Sequence, residues 1–339
     1  MTDPPRPRVT IHGLGAIGRR VAEHLTLAGD IDVVAATTGA GGIDHTPVRK
    51  VPAGICVPCD VAVLAVPSGY HADLARQHLD NGADVVSVGD AVADITALLE
   101  LDRVAKQAGR RLVVGAAFSP GYTCLLSDHA RRYFDEVFEI HVAKNGTGGP
   151  ACARDHHAAL KQPGWQLRDG EWLRPTGGSG RELLWFPGPV GSADCYHSEL
   201  GSPLLLEPAF PDIRRLTARV AATRRDRLTS RLPMLTPPHA EGSVGAVRIE
   251  VRGHKAGIPN TVVLGALDHP ASGAAIVATA VVNLLLGRVQ NLPDGGPGPG
   301  ASGLATWRMA SQLLLACAAT GLKPHVFEGS HAQSVTRTV

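Results

Sequence analysis

Val9-Thr10-Ile11-His12-Gly13-Leu14-Gly15-Ala16-Ile17-Gly18-Arg19-Arg20 is the stretch whose reading decides the fold. An apolar run leads into Gly13, Gly15 and Gly18, spaced G-x-G-x-x-G, and Val21-Ala22-Glu23-His24-Leu25 continues with helical spacing. A strand that feeds a glycine turn and then opens a helix aims backbone N–H groups and the positive helix end at one spot. A dinucleotide pyrophosphate suits that spot. The first glycine makes the turn, the second lets the backbone approach the phosphates, and the third lets helix and strand pack closely. Gly13, Gly15, Ala16, Ile17 and Gly18 are therefore the expected cofactor contacts. The competing reading is an ordinary tight turn in another kind of α/β protein.

Outward from this turn, strand and helix patterns alternate. Residues 9–11, 31–37, 60–66, 84–88 and 111–115 read as strands, and 17–28, 70–81 and 95–108 as helices. The run Asp60-Val61-Ala62-Val63-Leu64-Ala65-Val66 is almost continuously apolar, as in a parallel strand buried on both faces. The pattern predicts an α/β fold, a doubly wound Rossmann-type parallel sheet, over residues 1–121. After Gly121 the rhythm changes. Residues 138–143, 244–252 and 260–268 are strand-like, and the last two read as an antiparallel pair around Gly253-His254-Lys255-Ala256-Gly257. A second, α+β domain is expected over 122–269. Helices near 271–287 and 303–319, joined by the glycine- and proline-rich 293–300, are expected to return to the first domain as a segment 270–339.

The whole chain sets limits. Its 339 residues suffice for two domains, and 44% hydrophobic residues describe ample core material. A formal charge of +2 and only 4% aromatic residues argue against nucleic acid as a partner. The apolar segment 271–287 is shorter than the roughly 20 residues that cross a bilayer, so no membrane role is expected. Six cysteines give no disulfide framework. Cys56-Val57-Pro58-Cys59 precedes a strand rather than opening a helix, and reads as buried or incidental thiols; no metal site is expected. The polar N-terminal residues carry no apolar signal stretch, which leads to a cytoplasmic, thiol-reducing setting as the expectation.

Several segments together resemble saccharopine dehydrogenase-like oxidoreductases. They are the opening fingerprint, Asp60-Val61-Ala62-Val63-Leu64-Ala65-Val66-Pro67, Gly82-Ala83-Asp84-Val85-Val86, Gly115-Ala116-Ala117-Phe118-Ser119-Pro120-Gly121, and Phe186-Pro187-Gly188-Pro189-Val190-Gly191-Ser192-Ala193-Asp194-Cys195-Tyr196. Val66-Pro67-Ser68-Gly69-Tyr70-His71-Ala72 also resembles a loop of glucose–fructose oxidoreductase-like dehydrogenases. The resemblance implies NAD(P)-linked chemistry on a small-molecule, amino-acid-like or imine substrate. It also implies a second domain that binds substrate and pairs two copies as a homodimer. One departure stands out: where the second group carries Glu-Lys-Pro with a proton-donating lysine, this chain reads Val88-Gly89-Asp90.

In NAD-binding domains an acid at the end of the second strand accepts from the ribose 2′-hydroxyl. Here that place is Thr37-Thr38, with no carboxylate between Asp32 and Asp44. Threonine hydroxyls, the amides of Gly39-Ala40-Gly41-Gly42 and the guanidinium of Arg19 suit a 2′-phosphate, so NADP is expected, with NAD as the alternative. Arg19 as an exposed first-turn arginine, and the threonines as strand-end caps, are the bland readings. Val66, Pro67 and Ser68 end a parallel strand where such sheets bind ligands, and are expected beside the nicotinamide ribose. His71 reads as helix-start structure.

Hydride transfer needs a positioned nicotinamide, a proton donor or acceptor, and cations for a carboxylated substrate. Asp90 and Lys144 each end a strand and are candidates for proton transfer, with His157 and its neighbour His156 in Cys152-Ala153-Arg154-Asp155-His156-His157. Arg154, His157 and Lys161, three and four apart, share a face if their segment is helical, and would orient a carboxylate. A solvated helix edge is the alternative. Tyr122 is a further candidate donor from the cleft, or a core tyrosine. Arg214, Arg215, Arg219, Arg224, Arg225, Arg227 and Arg231 read as the exposed face of a helix, with a subunit contact as one use for it and a nucleic-acid patch as the weaker alternative. The residues thus point to an oxidoreductase acting on a C–N or C–O carbon. The alternatives are a non-catalytic dinucleotide-binding sensor or assembly partner, and a dehydrogenase of a simple alcohol or sugar.

Overall fold

In a computed structural model the described residues are 6–38, 48–234, 238–240, 242–290, 292, 296–328 and 331–334. Gly39-Ala40-Gly41-Gly42 therefore lies outside them, as do 293–295 of the glycine- and proline-rich linker.

The first third alternates β1 (Arg8–His12), α1 (Ala16–Leu27), β2 (Asp32–Thr37), β3 (Arg49–Pro52), β4 (Val61–Leu64), α2 (His71–Asp80), β5 (Asp84–Ser87), α3 (Val92–Leu99), α4 (Asp102–Ala108) and β6 (Arg111–Val113). The single helix expected over 95–108 is two, broken at Glu100-Leu101. Then follow α5 (Thr123–Ala130), β7 (Glu136–Asn145), α6 (Pro150–Ala159), β8 (Gln166–Arg168), β9 (Glu171–Leu173), β10 (Glu182–Trp185), β11 (Ser192–His197), α7 (Ser202–Leu206), β12 (Arg215–Ala221) and α8 (Arg224–Thr229). The chain continues with β13 (Gly245–Lys255), β14 (Ile258–Asp268), α9 (Pro270–Leu285), β15 (Gly300–Ser302), α10 (Ala310–Ala319), β16 (His325–Glu328) and β17 (His331–Ser334).

The first sheet has the order β15-β6-β5-β4-β1-β2-β3, and all its pairings are parallel. Its central strands β1, β2, β4 and β5 are buried on both faces, which is why Val61–Leu64 reads as an unbroken apolar run. Strand order reverses between β1 and β4, and ligands of doubly wound sheets bind at that switch. The returning C-terminal segment does more than add helices. Helix α9 packs on α1, and β15 hydrogen-bonds to β6 as a new edge strand.

The second sheet runs β10-β11-β12-β7-β13-β14-β16-β17, with β8 and β9 attached through β12. Strands β13 and β14 form the expected antiparallel hairpin, with Lys255 opposite Ile258. Both turn residues have positive φ (Ala256 +51°, Gly257 +74°), the geometry that matches strand twist in two-residue hairpins. One face of this sheet carries Ile140, Val142, Val247, Ile249 and Val251, all buried in the core. Burying such a side chain is worth about 1.5–3 kcal/mol, so this row fixes which face looks inward.

The arginine run is a correction. Arg215 and Arg219 stand on a strand, β12, rather than on a helix; only α8 carries Arg224, Arg225 and Arg227 helically. The missed signal is the period-two alternation Arg215-Leu216-Thr217-Ala218-Arg219-Val220. No described helix is long and apolar enough to cross a membrane. Cys56 and Cys59 both approach His78 Nδ1 at 3.6 Å, and His78 Nε2 meets His12 Nε2 at 2.7 Å. Burial pushes His12 and His78 down to about 4 and the Cys59 thiol up to about 11, so these three pack as neutral groups behind the glycine turn.

Candidate active site

A cavity of about 550 Å³ opens at the switch point. One wall is the fingerprint turn. Gly13 has φ +88°, and a Cβ there would lie 2.4 Å from the carbonyl oxygen of Ala65. A Cβ on Gly18 would lie 1.9 Å from the carbonyl oxygen of Gly13. At Gly15, the N-cap of α1, a Cβ would meet nothing within 4 Å: this glycine faces open space above the helix N-terminus. Gly13, Gly15, Ala16, Ile17, Thr37, Thr38, Val66, Pro67 and Ser68 all line the cavity. Two of the expected cofactor contacts do not. Gly18 fills the close approach of α1 to β1, and Arg19 pairs with Glu23 on the next turn, at 3.8 Å. The cradle fits a dinucleotide: its donors are backbone amides at a helix start, and its glycines clear the space above them.

The loop after β4 is held from below. His71 Nε2 bonds the carbonyl oxygen of Val66 at 3.0 Å, and His71 Nδ1 meets Ser87 Oγ at 2.9 Å. Gly69 N donates to Asp94 Oδ1 at 3.0 Å. His71 lines the cavity but serves as this brace, and burial lowers its pKa.

The opposite wall comes from the second domain. Residues 140, 142 and 144 of β7 point to the core face, so Lys144 ends an apolar row and is itself buried. An unpaired charge there is costly, so the chain must bring it a partner. Lys144 Nζ donates to Asp90 Oδ2 at 2.9 Å and lies 2.6 Å from His156 Nε2. His156 Nε2 also reaches Asp90 Oδ2, at 3.0 Å, and the Cys152 sulfur lies 3.6 Å from the same nitrogen. The loop between β7 and α6 carries these groups to the fingerprint: Gly149 has φ +107°, and a Cβ on it would press on Ala16 Cβ at 3.0 Å.

The electrostatics follow from this crowding. Burial alone would raise Asp90; the Lys144 ammonium and then His156 more than reverse it and hold the carboxyl well below the ordinary range. Burial alone would lower His156; the Cys152 sulfur, and after it the Asp90 hydrogen bond, push it up to about 9. Two nitrogens 2.6 Å apart cannot both aim a proton at the other, so along this contact one donates and the other accepts. His156 Nδ1 is buried with no partner among the described residues.

Asp90 and Lys144, two residues named from the sequence, thus meet across 54 positions of chain. His157 does not join them. Its Nε2 bonds the carbonyl oxygen of Leu232 at 3.0 Å, and His156, one residue earlier, occupies the cavity instead. Arg154 is exposed and lines the cavity, whereas Lys161 is exposed and outside the lining, so the face expected of Arg154, His157 and Lys161 is not assembled there. Tyr122 is fully buried and donates to the carbonyl oxygen of Leu322 at 3.3 Å, a core tyrosine. The sequence signal for His156 was the four-residue spacing from Cys152, which puts both on one side of α6.

No protein-family model matches the chain, and no curated sequence matches it. Solved structures do. Apo saccharopine dehydrogenase (L-Glu forming) from Saccharomyces cerevisiae superposes with a TM-score of 0.68 at 13% identity, over 95% of this chain and 100% of that one. The chain has a saccharopine dehydrogenase-like fold. A DAP dehydrogenase of C. glutamicum, solved with DAP, gives a TM-score of 0.48 at 17% identity over 89% of this chain and 94% of that one.

Proposed function

We propose that this chain is an NAD(P)-dependent oxidoreductase that moves a hydride to or from the C–N or C–O carbon of a small carboxylated substrate. The observation that carries the reading is that one cavity joins the fingerprint amides to the Lys144–Asp90–His156 group. The dinucleotide, held over Gly13, Gly15, Ala16 and Ile17, supplies or accepts the hydride when bound. Thr37 and Thr38 line the adenosine end with no carboxylate beside them among the described lining residues, which favours NADP.

Reduction of an imine or carbonyl also needs a proton on nitrogen or oxygen. Lys144 Nζ delivers it, and His156 replaces it through the 2.6 Å contact. Asp90 orients both donors and balances their charge. In the oxidative direction Lys144 takes the proton and hands it back to His156. Arg154 at the cavity lining pairs with the substrate carboxylate.

Fluorescence titration with NADPH tests the first half of this reading. A scan at 340 nm with amino acids, and with 2-keto acids plus amines, tests the second. Binding without turnover on any of these would leave a dinucleotide sensor as the better reading. Absence of binding by folded protein would remove both.

A further inference from the structure

The outward face of the second sheet carries a lattice of charged groups that the proposed reaction does not use. Strand register sets it out. Across β12, β7 and β13, Arg215, Glu139 and Arg252 form one row, Thr217, His141 and Glu250 the next, and Arg219, Ala143 and Arg248 the third. Arginines stand at all four corners. Ala143, the small residue between Arg219 and Arg248, leaves a hollow of about 140 Å³ over the sheet.

The charges in this hollow are not balanced. Arg219 pairs with Glu182 at 3.1 Å and Arg248 with Glu250 at 2.6 Å, while Arg252 is shared between Glu250 and Glu139. Four guanidiniums thus meet three carboxylates, and Arg215 has no ion pair among the described residues. The Nε–H groups of Arg215 and Arg248 are buried without an acceptor among the described residues. Buried donors of this kind are normally satisfied, and each orphan is costly. They lie on opposite sides of the hollow, on β12 and β13.

We propose that this hollow binds a phosphate-class oxyanion, to which Arg215 and Arg248 donate from two sides and which Arg219 steadies. At about 30 Å³ per water, the space takes one tetrahedral oxyanion with a little solvent. Guanidinium forks match phosphate oxygens in bidentate fashion, and the three glutamates leave one of the four guanidiniums without a carboxylate. Burial lowers the pKa of Arg219, and an anion at this point offsets that cost.

Calorimetry tests the site with inorganic phosphate titrated into the full chain in a phosphate-free buffer. Saturable binding is expected, at least tenfold weaker in Arg215→Gln/Arg248→Gln and unchanged in Arg214→Gln, whose arginine lies outside the hollow. Should the double variant melt early, Arg215→Lys keeps the charge, loses the fork and is expected to bind several-fold more weakly. Glycerol phosphate separates the sources: tighter binding than phosphate assigns an esterified ligand, equal or weaker binding the free ion. No saturable phosphate binding in the parent protein, tighter binding of acetate, or undiminished binding in both Arg215 variants overturns the proposal. So does a dimer in sedimentation that the Arg215→Gln/Arg248→Gln change breaks and phosphate leaves unaffected, since the lattice would then be a contact between copies.

Discussion

The two walls of the cavity hold their ligands by different means. The wall under β1 offers main-chain amides, and its residues matter mainly for what they leave out: side-chain atoms at Gly13 and Gly15. The wall under β7 and α6 offers Lys144 and His156, twelve residues apart, and draws in Asp90 from the loop after β5. A backbone wall is insensitive to pH and intolerant of bulk. A side-chain wall is sensitive to pH and depends on each member keeping its charge. That contrast gives each wall its own way to fail.

The largest effect is expected on the side-chain wall. Lys144→Met should lower turnover by about a hundredfold or more, the usual worth of a positioned acid–base group. Cofactor affinity by fluorescence should be unchanged, and an enzyme with parental turnover would end the assignment. Gly13→Ala should strike the other wall. Its positive φ and the 2.4 Å approach to Ala65 force the turn to move, so NADPH affinity should fall at least tenfold and the melting temperature with it. Gly15→Ala sharpens the point: with nothing near its Cβ, it should keep the melting temperature while losing affinity.

Thr38→Asp should invert coenzyme choice, with the NADP/NAD ratio of kcat/KM falling about tenfold or more, because a carboxylate repels a 2′-phosphate. The pH response belongs to the second wall alone. His156 is raised from 6.5 to about 9, so its contribution to stability is complete below about pH 6.5 and lost as pH rises through 9. Asp90 is lowered from 3.8, so its contribution is present above pH 3.8 and lost on deeper acidification. In Asp90→Asn the His156 titration, followed by NMR, should move to lower pH; an unmoved midpoint would disconnect the pair. The smallest effect is expected at Arg19→Ala, less than twofold in NADPH affinity. Its Glu23 contact is an exposed helix pair worth about 0.3–0.5 kcal/mol.

The same contrast explains what could be read from the chain in advance. The fingerprint and the parallel strands are local patterns: turn glycines at fixed offsets and apolar runs of strand length. Lys144 and Asp90 were legible one at a time, as polar residues ending strands, but their meeting depends on the loop 146–149 docking against Ala16. His156 and His157 differ by one position, a turn of about 100° on a helix, and only the tertiary placement of α6 tells which enters the cavity. Strand β15 was hidden in a glycine- and proline-rich stretch, where three residues gain strand geometry only by finding the β6 edge.

That late strand has a practical consequence. Residues 300–302 cap an edge of the first sheet although they follow β6 at a long remove in the sequence. A fragment ending near residue 121 would be made with β6 uncapped and α1 stripped of its α9 cover. An open strand edge beside an apolar helix surface invites aggregation. The nucleotide half thus depends for its solubility on α9 and β15, which lie beyond the second sheet's first strands in the sequence.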